Sequence, residues 1–205
     1  MDSTLLNKIE KHSTILLTEN LSEKMVYHDI AYTHRMIAAI NEICNEESVS
    51  DDDRNLLLAT GWLLNLGFTH SDILNNVDGP EDLFSLCYQS SIMMSRDFLT
   101  KESLSKIEEQ QIYALLEEAK PGNKIKTRLG KILSDAITID WGKPKSKGKL
   151  KKLYEEFLLT GAVSYGKSTW YDSVLVYLRE HEFYTGYGNR VLAPGKLELM
   201  NKIEK

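Results

Sequence analysis

The feature that most constrains the fold is an apolar segment, residues 56–64, which has no polar face. A helix that is hydrophobic on every side must be surrounded by other elements, so this segment predicts a helix at the centre of the core. Ser50 followed by Asp51, Asp52 and Asp53 marks its start, because a hydroxyl caps free N–H groups and carboxylates favour the positive helix end. Gly67 stands where a left-handed residue is expected to end the helix.

The rest of the chain shows helical periodicity on both sides of that segment. The predicted helices cover residues 5–17, 22–45, 80–99, a stretch from 104 that ends at Pro121-Gly122, and residues 125–137, 150–159, 168–182 and 195–204, with a lysine-rich linker over 142–149. No segment alternates convincingly as a half-buried strand does. We therefore predict an all-α fold, in which a helical core (1–142) and a C-terminal helical extension (143–205) pack together as a single domain.

Composition limits the classes of protein to which the chain can belong. Of its 205 residues, 42% are hydrophobic and 27% charged, which is typical of a soluble globular protein. No apolar run approaches the roughly 18 residues that a membrane helix needs, and the start lacks the basic and apolar segments of a signal peptide. Cys44 and Cys87 lie in helical patterns without metal-ligand spacing, which favours reduced thiols and a cytoplasmic location.

Charge is distributed unevenly along the chain, whose formal net charge is −5. Residues 120–152 contain 11 Lys and Arg and two acids, Asp135 and Asp140, a local charge of +9. A basic segment on an acidic body favours a small anionic ligand or an internal ion-pairing partner over a nucleic-acid groove. The lysines of residues 143–152 are also consistent with a solvated loop.

Three segments carry a family resemblance when they are read in order. They are Tyr27-His28-Asp29-Ile30-Ala31-Tyr32-Thr33, Leu63-Leu64-Asn65-Leu66-Gly67-Phe68 and Lys131-Ile132-Leu133-Ser134-Asp135-Ala136-Ile137. They resemble the Tyr-His-Asn-x-x-His-Thr, Phe-His-Asp-x-Gly-Tyr and Lys-Ile-Leu-x-Asp-Ala-Asp motifs of the HD superfamily of phosphohydrolases, with the closest similarity to HD domains of Pycsar-type antiphage effectors. The tail over 170–192 is also similar, and the likeness spans about residues 20–200. It implies an HD-domain-like helical bundle.

The resemblance also implies that the metal centre of the family is largely lost. By position, the four metal ligands correspond to Tyr32, Leu64, Asn65 and Asp135. Only the last keeps the family residue, because Leu64 has no donor atom and a neutral phenol with a pKa near 10 is a poor ligand. A His-Glu pair between the motifs corresponds to Cys87-Tyr88. Without a metal-bound hydroxide there is no obvious nucleophile for a phosphoester, so we expect a pseudoenzyme with no catalytic residues, metal or cofactor.

A ligand-binding site at the former metal centre is one hypothesis. Arg35 lies one helical turn after Tyr32, several cations precede the helix of Asp135, and the tail offers aromatic rings that could stack on a base. The predicted ligand-binding residues are His28, Tyr32, Arg35, Asn65, Lys124, Lys126, Arg128, Asp135, Tyr184, Tyr187 and Arg190.

Since relatives act in cyclic-nucleotide immune systems, the resemblance implies a binder of a nucleotide or cyclic-nucleotide second messenger. Such a protein would be a sensor or a sponge in antiphage signalling or its evasion. Two alternatives stay open at this point: a metal-dependent nucleotide phosphohydrolase with rearranged ligands, and a ligand-free helical interaction scaffold. The expected partner is a phosphorylated small molecule, whereas a membrane and nucleic acid are not expected. Homo-oligomerisation is left open.

Overall fold

The computed structural model describes residues 1–70, 77–102, 104–143 and 146–205, and these ranges contain helices and irregular segments but no strand. The helices are α1 (Ser3–Glu19), α2 (Ile30–Glu46), α3 (Asp51–Leu64), α4 (Pro80–Lys101), α5 (Lys106–Glu118), α6 (Arg128–Ile137), α7 (Ile139–Gly142), α8 (Ser146–Thr160), α9 (Lys167–Glu180) and α10 (Ala193–Ile203). A 3₁₀ turn (Leu66–Thr69) follows α3, and a π-helical turn (Gly188–Leu192) leads into α10. The predicted all-α class is confirmed. Among the described helices, none is long and apolar enough to cross a membrane.

Helix α3 is the centre of the core, as its apolar sequence predicts. The Ser50 hydroxyl caps it by accepting a hydrogen bond from the Asp53 backbone N–H at 3.2 Å. Helices α1, α2, α4, α5 and α6 all contact it. Its buried residues are Leu56, Leu57, Ala59, Thr60, Gly61, Trp62, Leu63 and Leu64. Full burial of one leucine side chain contributes about 1.5–3 kcal/mol, so this helix is a major source of hydrophobic stability.

The role predicted for Gly67 is wrong. It lies within the 3₁₀ turn and does not have the positive φ of a left-handed cap. A Cβ atom at this position would lie 1.8 Å from the carbonyl oxygen of Cys87 on α4. The Ser91 hydroxyl completes the contact by accepting from the Gly67 N–H at 2.7 Å and donating to the Leu64 carbonyl at 2.6 Å. Glycine is therefore needed here because the turn after α3 lies directly against α4.

Two predicted helix starts are too early. Helix α2 starts at Ile30 rather than near residue 22, because the Asp29 carboxylate caps it by accepting from the Tyr32 N–H at 2.8 Å. Helix α6 starts at Arg128 rather than residue 125, after the N-cap Thr127. In both cases a local side-chain hydrogen bond ends the irregular segment.

The C-terminal extension contains more helix than predicted. Helix α8 starts at Ser146, within the segment that was predicted to be a linker, and residues 144 and 145 of that segment lie outside the described residues. Helix α10 contacts α7, α8 and α9. The extension is thereby a set of packed helices rather than a loose tail.

A buried carboxylate joins the extension to the segment before α2. Glu156 on α8 is completely buried, and one of its oxygens accepts hydrogen bonds from the backbone N–H groups of Tyr27 and His28, both at 2.8 Å. Its other oxygen contacts Nδ1 of His28. Because a buried carboxylate is costly without hydrogen bonds, these three contacts hold α8 against the start of the HD-like motif.

Candidate functional site

A cavity of about 830 Å³ lies between the core and the C-terminal extension. The segment before α2 and the first turns of α4 form one part of its wall, and α9 with the residues that follow it forms another. The α5–α6 loop, α6, α7, α8 and the α8–α9 loop contribute further residues. The volume falls within the range of about 300–1,000 Å³ that is usual for small-molecule sites.

Aromatic side chains dominate this wall on the core side. The His28 ring stacks on Phe68, with centroids 4.5 Å apart, and lies 5.0 Å from the Tyr32 ring. Phe84 and Tyr88 continue the aromatic surface along α4, with centroids 6.3 Å apart. The wall is thus built on rings that fix one another by stacked and edge-to-face contacts.

The extension side of the wall is also aromatic. The Tyr177 ring lies 5.5 Å from Trp141 and 5.7 Å from His181. The aromatic residues that line the cavity within the described ranges, hereafter the aromatic wall, are Tyr27, His28, Tyr32, Phe84, Tyr88, Trp141, Tyr165, Trp170, Tyr177, His181 and Tyr184. Such a surface is suited to stacking against a flat organic molecule.

Of the predicted site residues, His28, Tyr32 and Tyr184 belong to this wall. The Tyr32 hydroxyl donates to the Ile137 carbonyl at 2.9 Å, and burial raises the pKa of Tyr32 well above its ordinary value near 10. Burial also raises the pKa of Tyr88. Both phenols are therefore neutral near pH 7, so they can form hydrogen bonds but cannot act as anionic ligands or bases.

Asn65 and Asp135 are completely buried and lie outside the cavity wall. The Asn65 amide donates to the Thr33 hydroxyl at 2.9 Å. The Asp135 carboxylate accepts from the backbone N–H groups of Tyr184 and Thr185, both at 2.9 Å. Burial raises the pKa of Asp135, and these hydrogen bonds act in the opposite direction. Protein donors thus surround the Asp135 carboxylate, whereas Oδ1 of Asn65 is buried without a hydrogen-bond partner among the described residues.

Arg35 forms an ion pair with Asp140. Its Nε and Nη2 atoms donate to Oδ2 of Asp140 at 3.0 and 2.9 Å, and Lys149 contacts the second oxygen of that carboxylate. Asp140 is buried, so it requires such compensation. The two cations are thus part of an internal ion pair that joins α2, α7 and α8.

The end of α2 engages three more of the predicted residues. Arg190 forms an ion pair with Glu46 at 2.6 Å, and the Tyr187 hydroxyl donates to Glu42. Arg128 donates to the backbone carbonyl of the residue that follows α2. None of these three side chains lies in the cavity wall. These contacts agree with one of the two interpretations of the uneven charge, in which the cations find partners within the protein.

Lys124 and Lys126 are exposed in the α5–α6 loop. Their neighbours Asn123 and Ile125 line the cavity, although the two lysines do not. Neither lysine forms a salt bridge with an acid in the described part of the chain. Lys124 and Lys126 are therefore two cations next in sequence to cavity-lining residues, and neither has an acidic partner among the described residues.

Sequence reasoning missed most of the aromatic wall. Trp141, Trp170 and Tyr177 were not predicted as site residues, since nothing local indicates that α7 and α9 share a cavity. The charged residues of the wall were missed as well. They are Asp78, Glu81, Glu118, Glu180, Glu182 and Lys120. In the part of the wall that the structure describes, five carboxylates thus face one lysine, which is itself paired with Glu117 at 2.9 Å.

Fold and site together define an all-α protein with an aromatic cavity between a helical core and a C-terminal extension. Within the described ranges, no group of three or more His, Cys, Asp or Glu side chains is arranged to hold a metal ion. No protein-family model, curated protein or solved structure matches the chain. The HD-domain interpretation stays a prediction from the sequence motifs.

Proposed function

We propose that the chain is a non-hydrolytic binding protein that takes a flat heterocyclic ligand, such as the base of a nucleoside or nucleotide, into its cavity. The observation that carries this proposal is the cavity of about 830 Å³ with its eleven aromatic side chains, two of them histidines. Stacking between a base and an aromatic side chain contributes about 1–3 kcal/mol. The wall therefore offers enough surface for recognition without any covalent chemistry.

The state of the HD-like positions supports binding rather than hydrolysis. Asp135 is held by backbone and hydroxyl donors of the tail, and Asn65 is buried against Thr33. The neutral Tyr32 phenol donates to a backbone carbonyl. A metal-activated water needs several accessible anionic or imidazole ligands, which these three positions do not supply.

The sequence-based proposal of a nucleotide second messenger requires a place for the phosphate. Lys124 and Lys126 of the α5–α6 loop are the cations that could reach it, since Arg35, Arg128 and Arg190 have partners within the protein. In that arrangement the base stacks in the cavity and the phosphate lies at the loop.

Thermal shift followed by calorimetry tests the proposal with a panel of nucleosides, nucleotides, cyclic nucleotides and other flat heterocycles. A ligand that binds only the folded state raises the melting temperature. For any binder, Tyr177→Ala should weaken affinity about tenfold, because the variant removes one stacking ring. Val176→Ala is the matched control, since Val176 is exposed on the same helix outside the wall. If no panel member binds the wild type more tightly than about 1 mM, the ligand-free scaffold replaces the proposal.

A further inference from the structure

The charge of the cavity wall identifies the class of ligand more narrowly than its aromatic rings do. Glu180 and Glu182 follow one another closely at the end of α9, and Asp78 and Glu81 flank the start of α4. All four side chains belong to exposed residues of the wall, and none forms a salt bridge within the described part of the chain. Their negative charge is therefore available to a ligand.

His181 supplies a second and independent indication. Its ring belongs to the cavity wall, and its two nitrogens are buried without a hydrogen-bond partner among the described residues. Burial lowers the pKa of His181 to about 4, so the ring is neutral near pH 7. In either tautomer, one nitrogen of a neutral imidazole carries the N–H and the other keeps a lone pair. The ring thus offers the cavity a hydrogen-bond acceptor.

We infer that the ligand of the cavity is a flat organic cation that carries an N–H donor, such as an amidine or a protonated amino-heterocycle. Cations are attracted to the faces of tyrosine and tryptophan rings, and the surrounding carboxylates add to that attraction. The N–H group of the ligand donates to the unprotonated ring nitrogen of His181. This inference rests on the proposed function, and it changes the expected charge of the ligand from anionic to cationic. A phosphate inside the cavity, away from Lys124 and Lys126 of the loop, would face the five carboxylates of the described wall and one lysine that already has an acidic partner.

Three probes of nearly the same shape test the charge directly: 2-naphthamidine, 2-naphthamide and 2-naphthoate, which carry charges of about +1, 0 and −1 at neutral pH by their functional groups. Calorimetry on the full chain should give an amidine affinity at least about tenfold above that of the amide, with the carboxylate weaker still. Raising the salt concentration from about 0.05 to 0.5 M should weaken the amidine and leave the amide nearly unchanged, because salt screens only the charged interaction.

Two variants locate the effect in the cavity. Glu180→Gln/Glu182→Gln should lower the preference for amidine over amide by about threefold or more, since it removes two charges of the wall. Glu10→Gln/Glu19→Gln makes the same change in net charge on exposed positions of α1, outside the wall, and should leave the preference unchanged. Both pairs are exposed, so neither change disturbs the core.

The outcomes separate this inference from the proposed function. If the amide or the carboxylate binds as tightly as the amidine, the cation inference is wrong while the aromatic cavity remains a binding site. An equal effect of the two double variants also overturns it. If none of the three probes binds more tightly than about 10 mM, the cavity is not a site for flat ligands and both proposals fail.

Discussion

The Asp135 carboxylate accepts hydrogen bonds from the backbone N–H and from the hydroxyl of Thr185, at 2.9 and 2.6 Å. The neighbouring Tyr184 N–H donates to the same carboxylate at 2.9 Å. A Cβ atom on Gly188 would lie 2.3 Å from the Asp135 carboxylate, so the tail passes very close to it. Asp135, which the sequence analysis predicted to correspond to a metal ligand of the HD family, therefore anchors the C-terminal segment.

Asp135→Ala should lower the free energy of unfolding by about 3 kcal/mol, because it leaves two buried backbone N–H groups without an acceptor. Urea denaturation monitored by circular dichroism measures this change. Asp97→Ala is the matched control, since Asp97 is exposed on α4, and it should change stability by less than about 0.5 kcal/mol. If the Asp135→Ala variant were as stable as this control, Asp135 would not anchor the C-terminal segment.

The purified protein should hold well below one transition-metal ion per chain. Tyr32 donates to a backbone carbonyl and Asp135 is held by the tail, so among these positions only the neutral amide oxygen of buried Asn65 lacks a partner within the described residues. One neutral oxygen is a weak site for a transition metal. Elemental analysis after purification without chelators measures the content. A near-stoichiometric metal that is lost in Asp135→Asn, together with a melting temperature that rises on adding that metal, would refute this prediction.

Stability should fall between pH 7 and pH 5 through His181. Burial, with a smaller effect from nearby Lys196, lowers the pKa of His181 to about 4, against an ordinary value of 6.5. The unfolded chain therefore binds a proton in this range that the folded chain excludes. The contribution of the neutral ring to stability is complete above pH 6.5 and is lost as pH falls towards 4. The loss by pH 5 should be about 2 kcal/mol.

Denaturation of His181→Phe at both pH values measures the effect of His181 alone. The variant keeps a ring beside Phe183, whose centroid lies 4.7 Å from that of His181, but cannot bind a proton. It should lose about 2 kcal/mol less than the wild type over this range. His34→Gln, on an exposed position of α2, should behave as the wild type does. An equal loss in His181→Phe and wild type would mean that His181 does not titrate as its burial indicates.

Gly67→Ala should destabilise the fold by about 3 kcal/mol or more, because its Cβ would collide with the Cys87 carbonyl at 1.8 Å. Gly148→Ala is the matched control, at a glycine where there is room for a Cβ atom. Gly148 lies in α8, and a Cβ there meets no atom of the described residues within 4 Å. That substitution should stabilise the fold by about 0.5–1 kcal/mol, since alanine loses less backbone entropy in a helix. Thermal denaturation of the two variants side by side gives the comparison, and a destabilisation of similar size in both would remove the packing argument.

The helices were predictable because each depends on a local pattern. The all-apolar sequence of residues 56–64 requires a central position, and Ser50 with the carboxylates after it determines where α3 starts. The start of α2 was missed for a physical reason. Apolar spacing continues through residues 22–29, but the hydrogen bond from the Tyr32 N–H to Asp29 decides where the helix begins.

The candidate site was predictable only where a motif residue happens to lie in the wall. Local patterns do not encode which helices cross, so no signal linked Trp141, at the end of the core, to Tyr177 of the extension. The same limit explains why the partners of the predicted cations were missed. Arg35 was predicted to contact phosphate because it lies near Tyr32, whereas its partner Asp140 is 105 positions away in the chain. Long-range ion pairs of this kind depend on the tertiary fold.

The contact between Glu156 and the segment before α2 also determines the order in which the cavity can be built. The Glu156 carboxylate accepts hydrogen bonds from two backbone N–H groups that lie 128 and 129 positions away in the chain. During synthesis the segment before α2 emerges before α8 and α9 exist, so the wall stays incomplete until the residues that follow α9 have been added. A ligand that needs the whole wall can therefore bind only after that point. Its binding stabilises the segment before α2 and the end of α9 together, and couples their resistance to proteolysis.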